Sequence, residues 1–270
     1  MKILNIAAIF TSVWLASAAL AETSGPDQLS DAVSGGDMAR VSALRAQGVD
    51  INTPNYLGWT PLYRAAINGN IDIIRQLLDS GADANARNQD GTTPLFAVPA
   101  GRQVLAGLLL AKGADVNAVN ETGWTPLLWT LYSEDDEERV RWLLEKGAKI
   151  DARNHDGETA LHLAVKSDRQ AQVDVLLQHG ADINARNKEG RAPLHLAADE
   201  GMADIVGQLL DGKADINVQD QRGLTPLMLA LYGKHTDVAQ TLIAGGADVR
   251  LRSAAGETAL HVAAGYGTLA

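Results

Sequence analysis

A glycine opens a near-identical phrase seven times along this chain. The phrases read GWTPLYRAA at Gly58, GTTPLFAV at Gly91, GWTPLLWTL at Gly123, GETALHLAV at Gly157, GRAPLHLAA at Gly190, GLTPLMLAL at Gly223 and GETALHVAA at Gly256. Successive spacings are 33, 32, 34, 33, 33 and 33 residues. A second phrase keeps step with the first: GVDIN from Gly48, GADAN from Gly81, GADVN from Gly113, GAKID from Gly147, GADIN from Gly180 and GADVR from Gly246, with Lys213 in the glycine place of KADIN. Two phrases locked to one period mark a repeat array, in which each unit is one supersecondary element stacked on the next.

Each unit has a physical reading. Thr followed by Pro, as in Thr60-Pro61 and Thr125-Pro126, starts a helix. The hydroxyl caps orphan N–H groups, and proline in the first turn needs no donor. Small residues after it, such as Ala65-Ala66 and Ala197-Ala198, let a second helix lie close. That helix carries paired leucines, among them Leu77-Leu78 and Leu209-Leu210, and stops at a glycine suited to a left-handed C-cap. The polar stretch from Gly-Ala-Asp to the next Asp-Gly predicts a β-hairpin finger. One unit cannot bury its own apolar face, whereas stacked neighbours can. The expected fold is therefore all-α, an elongated solenoid with a continuous core.

The T-P-L-H-x-A phrase with Gly-Ala-Asp at this period resembles the ankyrin repeat, over roughly residues 27–270. The resemblance implies an ankyrin-repeat solenoid of helix-turn-helix units with β-hairpin fingers, whose function is to bind another protein. It does not say which one, because a fold hosts many functions. Departures from the pattern divide the chain. Residues 22–57 read as an N-terminal linker and capping repeat that lacks the T-P-L phrase, and residues 58–270 as the repeats. The Gly91 unit is one residue short and contains Pro99, so its first helix should end early. The Gly123 unit is one residue long and carries an acidic run, Glu134 to Glu138, expected as a solvated loop. The Gly256 unit reaches Ala270 without a second helix, which implies either a loosely packed last helix or a longer parent protein.

Ahead of the array, Met1-Lys2 is followed by an uncharged stretch, Ile3 to Leu20, and by Ala19-Leu20-Ala21. A positive start, an apolar middle and an A-x-A site predict a secretory signal peptide over residues 1–21. The alternative, a membrane anchor, needs a longer apolar run than this one, which Asn5, Thr11, Ser12 and Ser17 interrupt. A periplasmic or secreted protein, with no membrane insertion after cleavage, is the expectation. The absence of cysteine rules out a lipid-modified cysteine and any disulfide, leaving stability to packing. The net charge of −10, or −11 once Lys2 is removed with the leader, disfavours nucleic acid and anionic lipid as partners.

Catalytic and metal chemistry find little support. Gly207-x-x-x-x-Gly212-Lys213 resembles a phosphate loop, but Ala214 stands where a hydroxyl is required. His162, His195 and His261 each fill the histidine place of their phrase, so they lie a repeat apart, about 8–10 Å. Zinc needs ligands about 2 Å from one point, so these histidines are expected to brace neighbouring repeats. No enzyme activity, cofactor or metal is expected.

The fingers and first helices carry columns that suit a partner. The column after each leading glycine reads Trp59, Thr92, Trp124, Glu158, Arg191, Leu224 and Glu257. The column near the end of the first helix includes Ile67, Tyr132, Lys166, Asp199 and Tyr232, and Tyr56 stands at a finger tip. The N-terminal half is thus aromatic and the C-terminal half charged. Exposed Trp and Tyr dominate interface hot spots, so Tyr56, Trp59, Ile67, Trp124 and Tyr132 are the candidate protein-binding residues of a monomer. Trp129 and Trp142 are expected to replace core leucines. Arg87, Arg153, Arg186 and Arg252 are expected to pair with finger acids such as Asp90 and Asp156.

Overall fold

The computed structural model describes residues 24–133 and 136–266. The expected signal segment, residues 1–21, lies outside them, as do Glu134, Asp135 and residues 267–270. The described helices come in pairs: α1 (Gly25–Gly35) with α2 (Met38–Ala46) in the capping unit, then α3 (Pro61–Asn68) with α4 (Ile71–Asp79). In the Gly91 unit a 3-10 segment (Pro94–Ala97) precedes α5 (Gln103–Ala111). The pairs α6 (Pro126–Ser133) and α7 (Glu137–Glu145), α8 (Ala160–Lys166) and α9 (Gln170–Gln178), α10 (Pro193–Asp199) and α11 (Ala203–Asp211), and α12 (Pro226–Tyr232) and α13 (Thr236–Ala244) follow, with α14 (Ala259–Tyr266) last.

First helices start as the sequence predicts. Tyr63 N–H donates to the Thr60 hydroxyl at 3.2 Å, Leu128 to Thr125 at 3.3 Å and Met228 to Thr225 at 3.3 Å. Each such cap stabilises by about 1 kcal/mol. In three units a histidine completes the start, the third through Thr258 N–H and His261 Nδ1 at 3.3 Å. Backbone N–H of Ala192 donates to His195 Nδ1 at 3.0 Å, and Thr159 N–H faces His162 Nδ1 at 3.3 Å. An imidazole that accepts at Nδ1 carries its hydrogen on Nε2. That atom lies 3.0 Å from the Arg191 carbonyl for His162 and 3.0 Å from the Leu224 carbonyl for His195, so each ring ties its repeat to the next finger.

The fingers differ from the β-hairpins expected, because no strand occurs among the described residues. Each finger is instead a tight turn closed by one polar side chain. In the Gly123 finger, Asn120 N–H donates to the Trp124 carbonyl at 3.0 Å. The Asn120 side-chain oxygen accepts from Thr122 and Trp124 N–H groups at 3.0 and 2.9 Å. The side chain takes the donors a longer ladder would have used. Neighbouring tips join by single backbone bonds, such as His155 N–H to the Thr122 carbonyl at 3.1 Å. Gly123 sits there at φ 83°, and a Cβ on it would fall 2.8 Å from His155 N, so both conformation and contact require glycine.

The core is not continuous. Buried apolar side chains form one cluster from Leu29 to Leu109 and another from Leu127 to Ala263. Among the described residues, half-buried Val116 and Trp142 pack against both and bridge them. The break lies at the Gly91 unit, where Pro99 cuts the first helix to a 3-10 turn and leaves fewer apolar positions to stack. Polar bonds span the gap. Arg139 on α7, 4% exposed, donates to the Val98 carbonyl and, at 3.3 Å, to the Leu95 carbonyl. Asp136 caps α7 through Arg139 N–H at 2.9 Å and accepts from Gly101 N–H at 3.1 Å. The acidic run is therefore a helix start over its described part rather than a loop, with Glu137 and Glu138 in the first turn, where the helix dipole favours carboxylates.

Candidate protein-binding face

In three units the residue after the leading glycine meets the end of the first helix eight positions on. In the Gly157 unit this is an ion pair, Glu158 with Lys166 at 2.8 Å. Burial pushes the Glu158 carboxyl up, but the hydrogen bonds from Lys166 and Asn154 and the Lys166 charge hold it below its usual value. In the Gly190 unit Arg191 pairs with Asp199 at 3.0 Å. Tyr232 donates to Glu257 of the following unit at 2.7 Å. The charged columns thus satisfy one another, and they line a depression of about 520 Å³ that includes Lys188 and Glu200.

The equivalent contact in the Gly123 unit is aromatic. Trp124 and Tyr132 have ring centroids 5.1 Å apart at 62°. Trp129 closes the group, 6.2 Å from Trp124 and 6.1 Å from Tyr132. Edge and tilted contacts of this kind satisfy ring quadrupoles while leaving other ring faces open. Tyr132 is 49% exposed, and both tryptophans are half-buried. Trp129 therefore does not replace a core leucine. Its slot is buried where it holds Leu163 or Leu229, each 3% exposed, and half-buried where it holds Arg64 or Leu196; Trp129 takes the half-buried form, its ring against Tyr132.

A second aromatic group lies in the Gly58 unit, where Trp59 and Tyr63 have centroids 5.9 Å apart. The Arg64 guanidinium lies 5.3 Å from the Trp59 ring centroid. Tyr56 at the finger tip is 72% exposed, its N–H donating to Asp27 at 2.8 Å, and Ile67 is half-buried on α3. The five candidate residues thus fall into two groups rather than one patch. The Gly91 unit between them offers Thr92 and the 3-10 segment instead of an aromatic pair.

Trp142 is also not a core residue. It is half-buried between α5 and α7, with Lys146 Nζ 5.9 Å from its ring centroid. It lines an apolar depression of about 450 Å³ with Val104, Gly107, Leu110 and Ala111.

The arginine column does not pair with finger acids as expected. Arg153 donates to the carbonyl of its own leading glycine, Gly157, at 3.0 Å and to that of Arg186 in the next finger at 2.6 Å. Arg186 donates to the carbonyls of Gly190, at 3.0 Å, and Gln219. Gln219 continues to those of Gly223 and Arg252 at 2.8 and 2.9 Å, and Arg87 reaches the Val119 carbonyl. A guanidinium or amide nitrogen carries two N–H donors, so one side chain can serve two carbonyls at once.

A family model described as ankyrin repeats (3 copies) matches residues 29–120, 96–187 and 194–270. The chain belongs to the ankyrin-repeat family. The crystal structure of the ankyrin repeat domain of Bcl-3, described as a unique member of the IkappaB protein family, is similar to this ankyrin-repeat chain at a TM-score of 0.68 and 31% identity. That likeness covers 76% of this chain and 94% of the Bcl-3 domain. An L-asparaginase from Dirofilaria immitis is 32% identical over 143 residues, 53% of this chain. The chain spans 24% of the length of that curated relative. Among the described residues no helix is long and apolar enough to cross a membrane. No group of three or more His, Cys, Asp or Glu is placed there to hold a metal ion.

Proposed function

We infer from its ankyrin repeats that this chain is a protein–protein interaction module. We propose that it acts as an exported one, in the periplasm or outside the cell, holding another exported protein through the aromatic groups of its N-terminal half and so inhibiting or protecting it. The observation that carries this is the contrast between equivalent positions: Glu158–Lys166 and Arg191–Asp199 satisfy each other, whereas Trp124–Tyr132 presents open aromatic surface. Large rigid aromatics at solvent-accessible places are the anchors that interfaces use. Export is supported by the sequence of residues 1–21 alone.

The test is a pull-down from an envelope fraction with three forms of the protein. These are the wild type, a Trp59→Ala/Trp124→Ala/Tyr132→Ala variant, and a Lys166→Ala/Asp199→Ala variant, with circular dichroism to show that all fold. A partner kept by the wild type and the charge variant but lost by the aromatic variant supports the reading. A partner lost only with the charge variant overturns it. The match to an asparaginase favours no catalytic role, since no catalytic group converges on this face, and release of ammonia from asparagine by the pure protein would contradict that.

A further inference from the structure

The aromatic group of the Gly123 unit stands in a stretch with an unusual charge balance. Between Lys112 and Arg139 the sequence contains seven carboxylic acids and no Lys, Arg or His. Glu121, exposed in the same finger as Trp124, makes no ion pair among the described residues. The rings thus sit on a segment that attracts cations and supplies none of its own.

The Gly58 unit shows what a ring in this position takes. Trp59 and Trp124 hold the same place after their leading glycines, and Arg64 and Trp129 the same place on the first helix. Arg64 covers Trp59 with its guanidinium at 5.3 Å. In the Gly123 unit that slot holds another indole, and no cation lies over Trp124, Trp129 or Tyr132 among the described residues. A ring face carries negative quadrupole charge and attracts a cation within about 6 Å. Guanidinium suits it better than ammonium, because it is planar and more weakly hydrated.

We infer that the Trp124–Trp129–Tyr132 group is a docking site for an arginine side chain on an exposed, basic segment of the partner protein. The inference rests on the proposed aromatic binding face and names the chemistry it selects. The net negative charge of this stretch, with Glu121 exposed beside Trp124 in the same finger, draws the basic segment in, and one guanidinium stacks on the open ring faces. In the charged half the two carboxylates at the equivalent positions are already engaged, Glu158 by Lys166 and Asp199 by Arg191.

The test uses the full-length protein as purified and three blocked synthetic peptides of the same flexible Gly/Ser sequence. One carries two arginines, one two lysines, and one two citrullines, which keep the planar shape without the charge. Titrations are followed by calorimetry and by the indole N–H resonances of Trp124 and Trp129, assigned through single substitutions to Phe. The arginine peptide is expected to shift both resonances and to bind at least about tenfold more tightly than the citrulline peptide, with lysine between them. A Tyr132→Leu variant is expected to lose most of that preference while keeping its helical spectrum. Equal binding of the arginine and citrulline peptides overturns the inference, as does an arginine peptide that leaves both resonances unmoved. If in that case the pull-down partner still depends on Trp59, Trp124 and Tyr132, the binding face stands and only its arginine selectivity falls. If the aromatic variant also keeps the partner, both fall.

Discussion

Arg139 is the residue whose removal should most change how this protein unfolds. It extends from α7, which belongs to the cluster of buried side chains beginning at Leu127, to the carbonyls of Leu95 and Val98, which belong to the other cluster. Hydrogen bonds from a charged donor contribute about 1.5–3 kcal/mol each, so two amount to roughly 3–6 kcal/mol. Burying a guanidinium at 4% exposure costs part of that, and the cost disappears with the side chain. The net loss for Arg139→Met, which keeps an unbranched apolar stem, should be about 2–4 kcal/mol. In a repeat protein, stability is approximately a sum of unit and interface contributions, so weakening one interface also lowers cooperativity. Urea unfolding should therefore separate into two steps. Circular dichroism would report both blocks, and a Trp14→Phe/Trp124→Phe/Trp129→Phe/Trp142→Phe background would leave Trp59 to report the N-terminal block alone. A loss below about 0.5 kcal/mol, with one transition shared by both probes, would refute this account of the gap.

Three further outcomes follow from the same geometry. Lys213 holds a left-handed conformation, φ 66°, in the place that glycine fills in the other repeats, so Lys213→Gly should stabilise by about 1 kcal/mol, read as a higher urea midpoint. Burial holds the folded pKa values of His162 and His195 below their ordinary 6.5, so the unfolded chain binds more protons as the medium is acidified. Their contribution is complete above pH 6.5 and is lost as pH falls through the folded values; His162→Gln/His195→Gln should flatten the fall in stability between about pH 7.5 and 5.5, and an unchanged slope would count against it. Val119 breaks the column of forked donors and is 46% exposed, so Val119→Arg, placed to reach the Gly123 and Arg153 carbonyls, should stabilise by about 0.5–1 kcal/mol, read as a higher urea midpoint.

The architecture was legible because the period, the Thr-Pro starts and the glycine stops are local signals that tertiary packing reinforces. Pro99 correctly foretold the shortened helix, since a missing N–H acts wherever the residue sits. The gap in the core was not legible, because it depends on how much apolar surface neighbouring units share rather than on any one unit. Trp129 was misplaced for a different reason: its column holds Leu163, Leu196 and Leu229, and the pattern alone does not say that the column is fully buried in some units and half-buried in others. The arginine column was assigned to acids because charge suggests charge. In the fold, the closest acceptors are main-chain oxygens, which a sequence does not display. Of the candidate face, Trp124 and Tyr132 were found as a contacting pair, whereas the third ring beside them was missed.

The stitches between fingers end on the main chain, at the carbonyls of residues such as Arg186, Gln219 and Arg252, and not on side chains. Every residue has a carbonyl, so a forked donor in one unit makes no demand on what its neighbour's side chain is. Units joined in this way are interchangeable parts. At the finger joints, a repeat could be duplicated, deleted or moved along the array without a matching change in the side chains beside it. The positions that face a partner are then free to vary one unit at a time, and a new specificity can be composed without redesigning the joints.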